Sequence, residues 1–203
     1  ITEGAGASDT AHCYVSVFGK LSGAVVKYYG ISATRIACQT ENLTTKEPDL
    51  SFVNRVDSMD SDADVVVVFG GTNDFGHGDA KLGTFESRDP YTFYGAMHVL
   101  CEKLINRFPN ADILFMTPLH RCSEDEVSKE NGLPEETNLA GYVSIIREVA
   151  EFYGLPVLDL FSTSGLQPKV DIIKETYMPD GLHPSDAGAL RIARRLIGFL
   201  QTL

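Results

Sequence analysis

The chain has 203 residues, enough for one well-buried core and short of what two domains usually need. Apolar residues make up 43% and charged residues 22%, an ordinary globular balance, and no apolar run approaches the length of a membrane span. Seventeen Lys and Arg stand against 28 Asp and Glu, and the net charge of −11 disfavours nucleic acid or an anionic membrane as partner, since both need clustered positive charge.

Ser8 or Asp9 can cap a helix running to about Leu21, with Gly23 ending it. Ala24 to Tyr29 is a β-branched and aromatic run that stops at Gly30, as a strand would. Phe52 to Met59 reads as a short helix. Asp64 to Phe69 is apolar after its first residue, as expected of a strand covered on both faces. The long connection from Phe75 to Asp89 is a candidate lid or specificity loop. Phe93, Met97, Leu100, Leu104 and Phe108 recur at helical spacing within 91–108, which ends at Pro109. Asp112 to Thr117 is a second buried strand, halted by Pro118; Asn138 to Tyr153 is a helix; Pro156 to Leu160 is a strand. Ser185 or Asp186 caps a last helix to about Leu200. Strands alternating with helices predict an α/β domain over 1–203, with a parallel sheet covered by helices on both faces. In such sheets the chemistry collects in the loops at the carboxyl ends of the strands.

Cys13, Cys38, Cys101 and Cys122 are widely spaced and form no C-x-x-C. They read as free thiols in a reducing, cytoplasmic compartment. No basic stretch followed by an apolar segment marks a signal peptide. His98 and Cys101 lie three apart on one helix but lack further ligands, so they read as core packing rather than a metal site. Neither a metal nor an organic cofactor is expected.

Four short constellations carry the chemistry. In Asp180-Gly181-Leu182-His183-Pro184 an acid precedes a histidine by three residues, so one imidazole nitrogen can meet the carboxylate while the other faces a substrate. Gly70-Gly71-Thr72-Asn73-Asp74 follows a buried strand; its glycines allow a sharp turn and close approach of a ligand, and an asparagine amide can donate to an oxyanion. Gly30-Ile31-Ser32-Ala33 can present a backbone N–H to the same charge. Residues 1–8, Ile-Thr-Glu-Gly-Ala-Gly-Ala-Ser, are small and lead toward a helix, without the Lys-Ser/Thr of a phosphate loop.

In order and spacing these blocks resemble the SGNH hydrolases, the GDSL esterase/lipase family. Ile1-Thr2-Glu3-Gly4 is similar to the residues that follow the G-D-S of its first block. Gly30 matches the second block, Gly71-Thr72-Asn73-Asp74 the third, and Asp180 to Pro184 the last. The resemblance implies a flavodoxin-like three-layer α/β/α domain with a mostly parallel five-stranded sheet, its first strand upstream of Ile1. It implies that His183 is the general base, that Asp180 orients it, and that Gly30 N–H and the Asn73 amide form an oxyanion hole. The nucleophile is then a serine directly before Ile1. Thr72, Asp74 and His77 are candidate substrate contacts. Ser8 fits a helix cap better than a nucleophile. The implied reaction is hydrolysis of a small carboxylic ester through an acyl-enzyme, with a short acyl group and acetylated carbohydrates among the candidate substrates. The alternatives are a non-catalytic binding module that kept the pocket and a nucleotide-binding flavodoxin-like protein.

Overall fold

The computed structural model describes residues 1–40, 49–126 and 137–203. In chain order its elements are α1 (Tyr14–Ser22), α2 (Phe52–Arg55), β1 (Val65–Phe69), α3 (Thr72–His77), α4 (Phe93–Arg107), β2 (Asp112–Met116), α5 (Leu139–Phe152), β3 (Val157–Leu158), α6 (Leu160–Thr163), α7 (Asp171–Tyr177) and α8 (Asp186–Leu200). They fall into two compact units that interleave along the sequence. One comprises Ile1–Ser32, Leu119–Ser123 and Leu158–Leu203; the other comprises Ala33–Pro118 and Glu124–Val157.

The second unit is built on β1 and β2, which run parallel with Val65 opposite Asp112 and Phe69 opposite Met116. The sheet order is β1-β2-β3, and the Phe115 N–H donates to the Pro156 carbonyl at 3.0 Å. After Asp112, β2 is buried along its whole length, as its Ile-Leu-Phe-Met run requires. Helix α4 begins at Thr92, whose side chain accepts from the Gly95 N–H, and it buries Phe93, Ala96, Met97, Leu100, Cys101 and Leu104. Helix α5 begins at Asn138, which accepts from Gly141 N–H, and it buries Tyr142, Val143, Ile146 and Val149.

In the first unit α8 starts at Ser185, whose hydroxyl accepts from Gly188 N–H. The stripe Ala189, Ile192, Ala193 and Leu196 is buried. The Arg191 guanidinium stacks over the Tyr177 ring at 3.9 Å, which fastens α8 to the end of α7.

Two expectations change. The sheet has three strands among the described residues rather than five. The fifth lies upstream of Ile1, outside the described residues, and the fourth, Ala24 to Tyr29, runs outside the sheet, with Val25 94% exposed. A ladder needs a neighbouring strand, and β propensity cannot supply one. Helix α1 starts at Tyr14, not near Ser8, because residues 1–12 are wound into turns instead: Gly4 N–H to Ile1 O, Ala7 N–H to Gly4 O and His12 N–H to Asp9 O. The segment 78–92 is strapped down within its own unit. Thr40 and Asp79 bond through side chain and backbone, the N–H groups of Phe93 and Tyr94 donate to Lys81 and Leu82, and Phe85 packs edge-on to His98 and Phe152.

Candidate active site

The loop between α7 and α8 is shaped by one carboxylate. Asp180 Oδ1 accepts from the backbone N–H groups of Leu182 (2.9 Å) and His183 (2.7 Å), an Asx turn, while Gly181 supplies the left-handed residue at φ 78°. The other oxygen, Oδ2, lies 2.6 Å from His183 Nδ1. A carboxylate only accepts, so Nδ1 carries the proton and Nε2 is the ring nitrogen left to act as a base. Partial burial raises the Asp180 pKa, but the hydrogen bonds from His183 and Leu182 outweigh it and hold the acid below its ordinary value. Asp180 is thus charged at neutral pH, able to fix the imidazole and to stabilise its protonated form. Gly181 is also pressed against Cys122: a Cβ on Gly181 would lie 2.5 Å from Cys122 Sγ, and Cys122 N–H donates to Gly181 O at 2.9 Å.

Residues 1–8 of the same unit touch both this loop and Gly30. A Cβ on Gly6, which has φ 94°, would lie 2.6 Å from His183 Cβ and from Pro184 O. The Ser8 N–H and hydroxyl both donate to Asp186 at 2.7 Å, so Ser8 is engaged at the start of α8 and caps no helix of its own. A Cβ on Gly30 would lie 2.6 Å from the Thr2 methyl group. The Tyr28 hydroxyl donates to Thr2 O at 2.6 Å; burial pushes its pKa up to about 12, so it remains a donor. Thr2 Oγ1 pairs with the Tyr14 hydroxyl at 3.2 Å, and Glu3 accepts from Ser32 N–H. Motif reading did not single out Gly6, Tyr14 or Tyr28. The Gly-Ala-Gly spacing was the available signal for the first of these.

The Asn73 region belongs to the other unit. Gly70-Gly71-Thr72-Asn73-Asp74 is the entry to α3: Gly71 (φ 98°) precedes the helix, and Thr72, Asn73 and Asp74 are its first residues. The space a side chain on Gly70 would need is taken by Phe52 and Ile36, so packing explains that glycine. Asn73 Nδ2 donates to Thr34 O at 2.9 Å, which fixes the amide and leaves its second N–H to point elsewhere. Asp74 is buried, and its two oxygens accept from Ile36 and Ala37 N–H, both at 2.9 Å. It ties α3 to the 34–37 segment. His77 is the last residue of α3 and is half-buried, as is Thr72. Away from these residues, His98 is fully buried, its Nδ1 3.1 Å from the Tyr153 hydroxyl, and Cys101 is buried beside it on α4. His12 pairs with Asp9 at 2.7 Å, and His120 packs on Phe161. No helix among the described residues is long and apolar enough to cross a membrane.

Comparison with known proteins bears on the fold and the family. A solved crystal structure that is 37% identical superposes with a TM-score of 0.83, covering 98% of this chain and 90% of its own. A protein from Lactobacillus plantarum is 28% identical at a TM-score of 0.79, with 94% and 88% covered. The acetyl xylan esterase AlAXEase shares 20% identity at a TM-score of 0.59, with 92% and 90% covered, which shows a common fold. No curated protein matches. The fold is three-layer α/β/α with a parallel sheet. The model of the GDSL-like lipase/acylhydrolase family matches residues 1–191, and with nearly the whole chain inside that match this protein belongs to the GDSL-like lipase/acylhydrolase family of hydrolases.

Proposed function

We propose that this hydrolase cleaves carboxylic esters of small alcohols through an acyl-enzyme, with His183 as general base and Asp180 as its orienting acid. The observation that carries the reading is the 2.6 Å pairing of His183 Nδ1 with Asp180, which commits Nε2 to accept a proton. The nucleophile is the serine expected directly before Ile1. Its assignment is supported by the path of residues 1–8, which lie against Gly30 at Thr2 and against His183 at Gly6.

In the first half-reaction His183 takes the serine proton as the oxygen attacks the acyl carbon, then returns it to the departing alcohol. In the second it activates water in the same way, and the acid is released. Gly30 N–H and the second N–H of Asn73 Nδ2 are assigned to the oxyanion, each such donor being worth about 3–4 kcal/mol in the transition state. Asp74 then serves by holding the 34–37 segment to which Asn73 is bonded, rather than by touching substrate. The acyl group we favour is short, as in an acetylated carbohydrate. A fold shared with an acetyl xylan esterase suits that choice without deciding it.

The test is hydrolysis of p-nitrophenyl acetate together with covalent labelling by a fluorophosphonate. We expect both, and we expect His183→Ala to reduce turnover at least a thousandfold with an unchanged circular dichroism spectrum. Absence of turnover and labelling in the full-length protein overturns the assignment and favours a binding module.

A further inference from the structure

Helix α8 carries positive charge that its own fold does not use. Arg191, Arg194 and Arg195 lie at i, i+3 and i+4, so three of the nine arginines in the chain crowd one helix face. Like charges at that spacing repel. The last turn of α8, where a cation would answer the helix dipole, holds none of them. Arg191 is anchored: it stacks on Tyr177, and its Nη1 donates to Gly165 O at 3.0 Å. Arg194 and Arg195 are exposed, and among the described residues neither has a hydrogen bond, an ion pair or a ring contact. Asp171 and Glu175, the acids of α7, pair with none of the three. In a chain with 28 acidic residues and a net charge of −11, a counter-charge for these arginines was plentiful and is not used.

The three arginines also share a cavity. A groove of about 500 Å³ lies between the end of α7 and this face of α8, lined by Tyr177, Ala187, Leu190, Arg191, Arg194 and Arg195. All six residues belong to the first unit. The volume is that of a small-molecule site. Ala187, Leu190 and the Tyr177 ring give it apolar surface, the guanidinium groups give it donors, and no acid lines it. Asp180 and His183 are not part of its lining, so it is a second site, apart from the candidate active site. The two oxygens of a carboxylate are satisfied by one guanidinium fork, whereas the three terminal oxygens of a phosphate can engage several.

We propose that this groove binds a small organic phosphate, its phosphate held by Arg194 and Arg195 with the anchored Arg191 beside them, and its carbon skeleton laid on Ala187 and Leu190. The site does not depend on the esterase reading, and its test needs no turnover.

Isothermal titration calorimetry on the full-length protein at low salt, with phenyl phosphate, inorganic phosphate and phenol, decides it. Phenyl phosphate should bind at one site, more tightly than either of the others. Arg194→Gln and Arg195→Gln, both at exposed positions, should each weaken it about tenfold, the size expected of one charge-assisted hydrogen bond. Arg194→Lys, which keeps the charge without the fork, should recover part of the loss. Lys81→Gln removes an exposed cation of the other unit and should leave affinity unchanged. No binding of phenyl phosphate overturns the proposal, as does binding that both Arg→Gln variants retain. An equal loss in Lys81→Gln also overturns it, since that is the signature of general charge attraction. Equal affinity for inorganic phosphate overturns the organic ligand. Cosedimentation with phosphatidylglycerol vesicles, in the absence of phenyl phosphate binding, would give these arginines to a lipid surface and overturn the small-ligand site.

Discussion

At Gly6 one hydrogen atom stands where any other residue would carry carbon. A Cβ there would lie 2.6 Å from His183 Cβ and Pro184 O, neither of which is the free end of a flexible side chain, and the φ of 94° is unfavourable for an L residue. Gly6→Ala must therefore shift the 180–184 loop or the 4–8 turn. We expect it to lower kcat more than tenfold and to destabilise the fold by about 1–3 kcal/mol, read from ester hydrolysis and thermal melting. Single residues were unevenly legible. The spacing of Asp180 and His183 announced their pairing because the contact is local, three residues apart. The anchoring of Asn73 on Thr34 and of Ser8 on Asp186 was hidden, because those contacts span 39 and 178 residues and no short pattern encodes them.

Ser185 shows how an element inherits its place from the one before it. Its N–H donates to Tyr177 O, its hydroxyl donates to Thr176 O, and the same oxygen accepts from Gly188 N–H, so the start of α8 is tied to the end of α7. Ser185→Ala should cost about 1 kcal/mol, as lost helix caps do, and denaturant unfolding would measure it. Because His183 lies two residues before this cap, the variant should also lower activity; full activity would show that the loop holds itself. Elements with several turns of consistent spacing, α4, α5 and α8, could be read from sequence almost to the residue. Helix α3 could not. Its six residues include a glycine and open on two more, and so short a span looks like a turn in any pattern search. Helix α7 was missed for another reason: none of its residues is buried, so it has no apolar stripe to read.

For the molecule as a whole, acid should act in two steps. Asp180, Asp9, Asp186 and Glu3 all have pKa values below the ordinary carboxylate range. Asp180 does so despite burial, through His183 and Leu182; Asp9 through His12; Asp186 through Ser8; and Glu3 through Ser32. Carboxylates lowered on folding stabilise the native state above about pH 4, and that contribution disappears as pH falls through their folded values. His98 acts earlier. Burial lowers its pKa, with Arg88 assisting and the Phe85 backbone, Glu102 and Glu148 opposing, so the folded protein resists a proton that the unfolded chain accepts below about pH 6.5. Melting temperature should decline gently from about pH 6.5 and steeply below about pH 4, and His98→Gln should remove the first slope only. The same slope in that variant would place the titration elsewhere. The order of blocks along the chain was enough to indicate the family, since motif order survives when contacts are unknown. The division into two interleaved units was not visible, because each is assembled from segments far apart in sequence.

Cys122 is exposed, and it rests against the backbone of Gly181 in the loop that carries His183, the proposed base. Any adduct on that sulfur must find room where none exists beside Gly181. Under the proposed serine mechanism, which uses no thiol, iodoacetamide or N-ethylmaleimide should therefore still inactivate the protein, and Cys122→Ser should make it resistant. Reagent-treated protein that keeps full activity would mean that the loop can yield without displacing the imidazole.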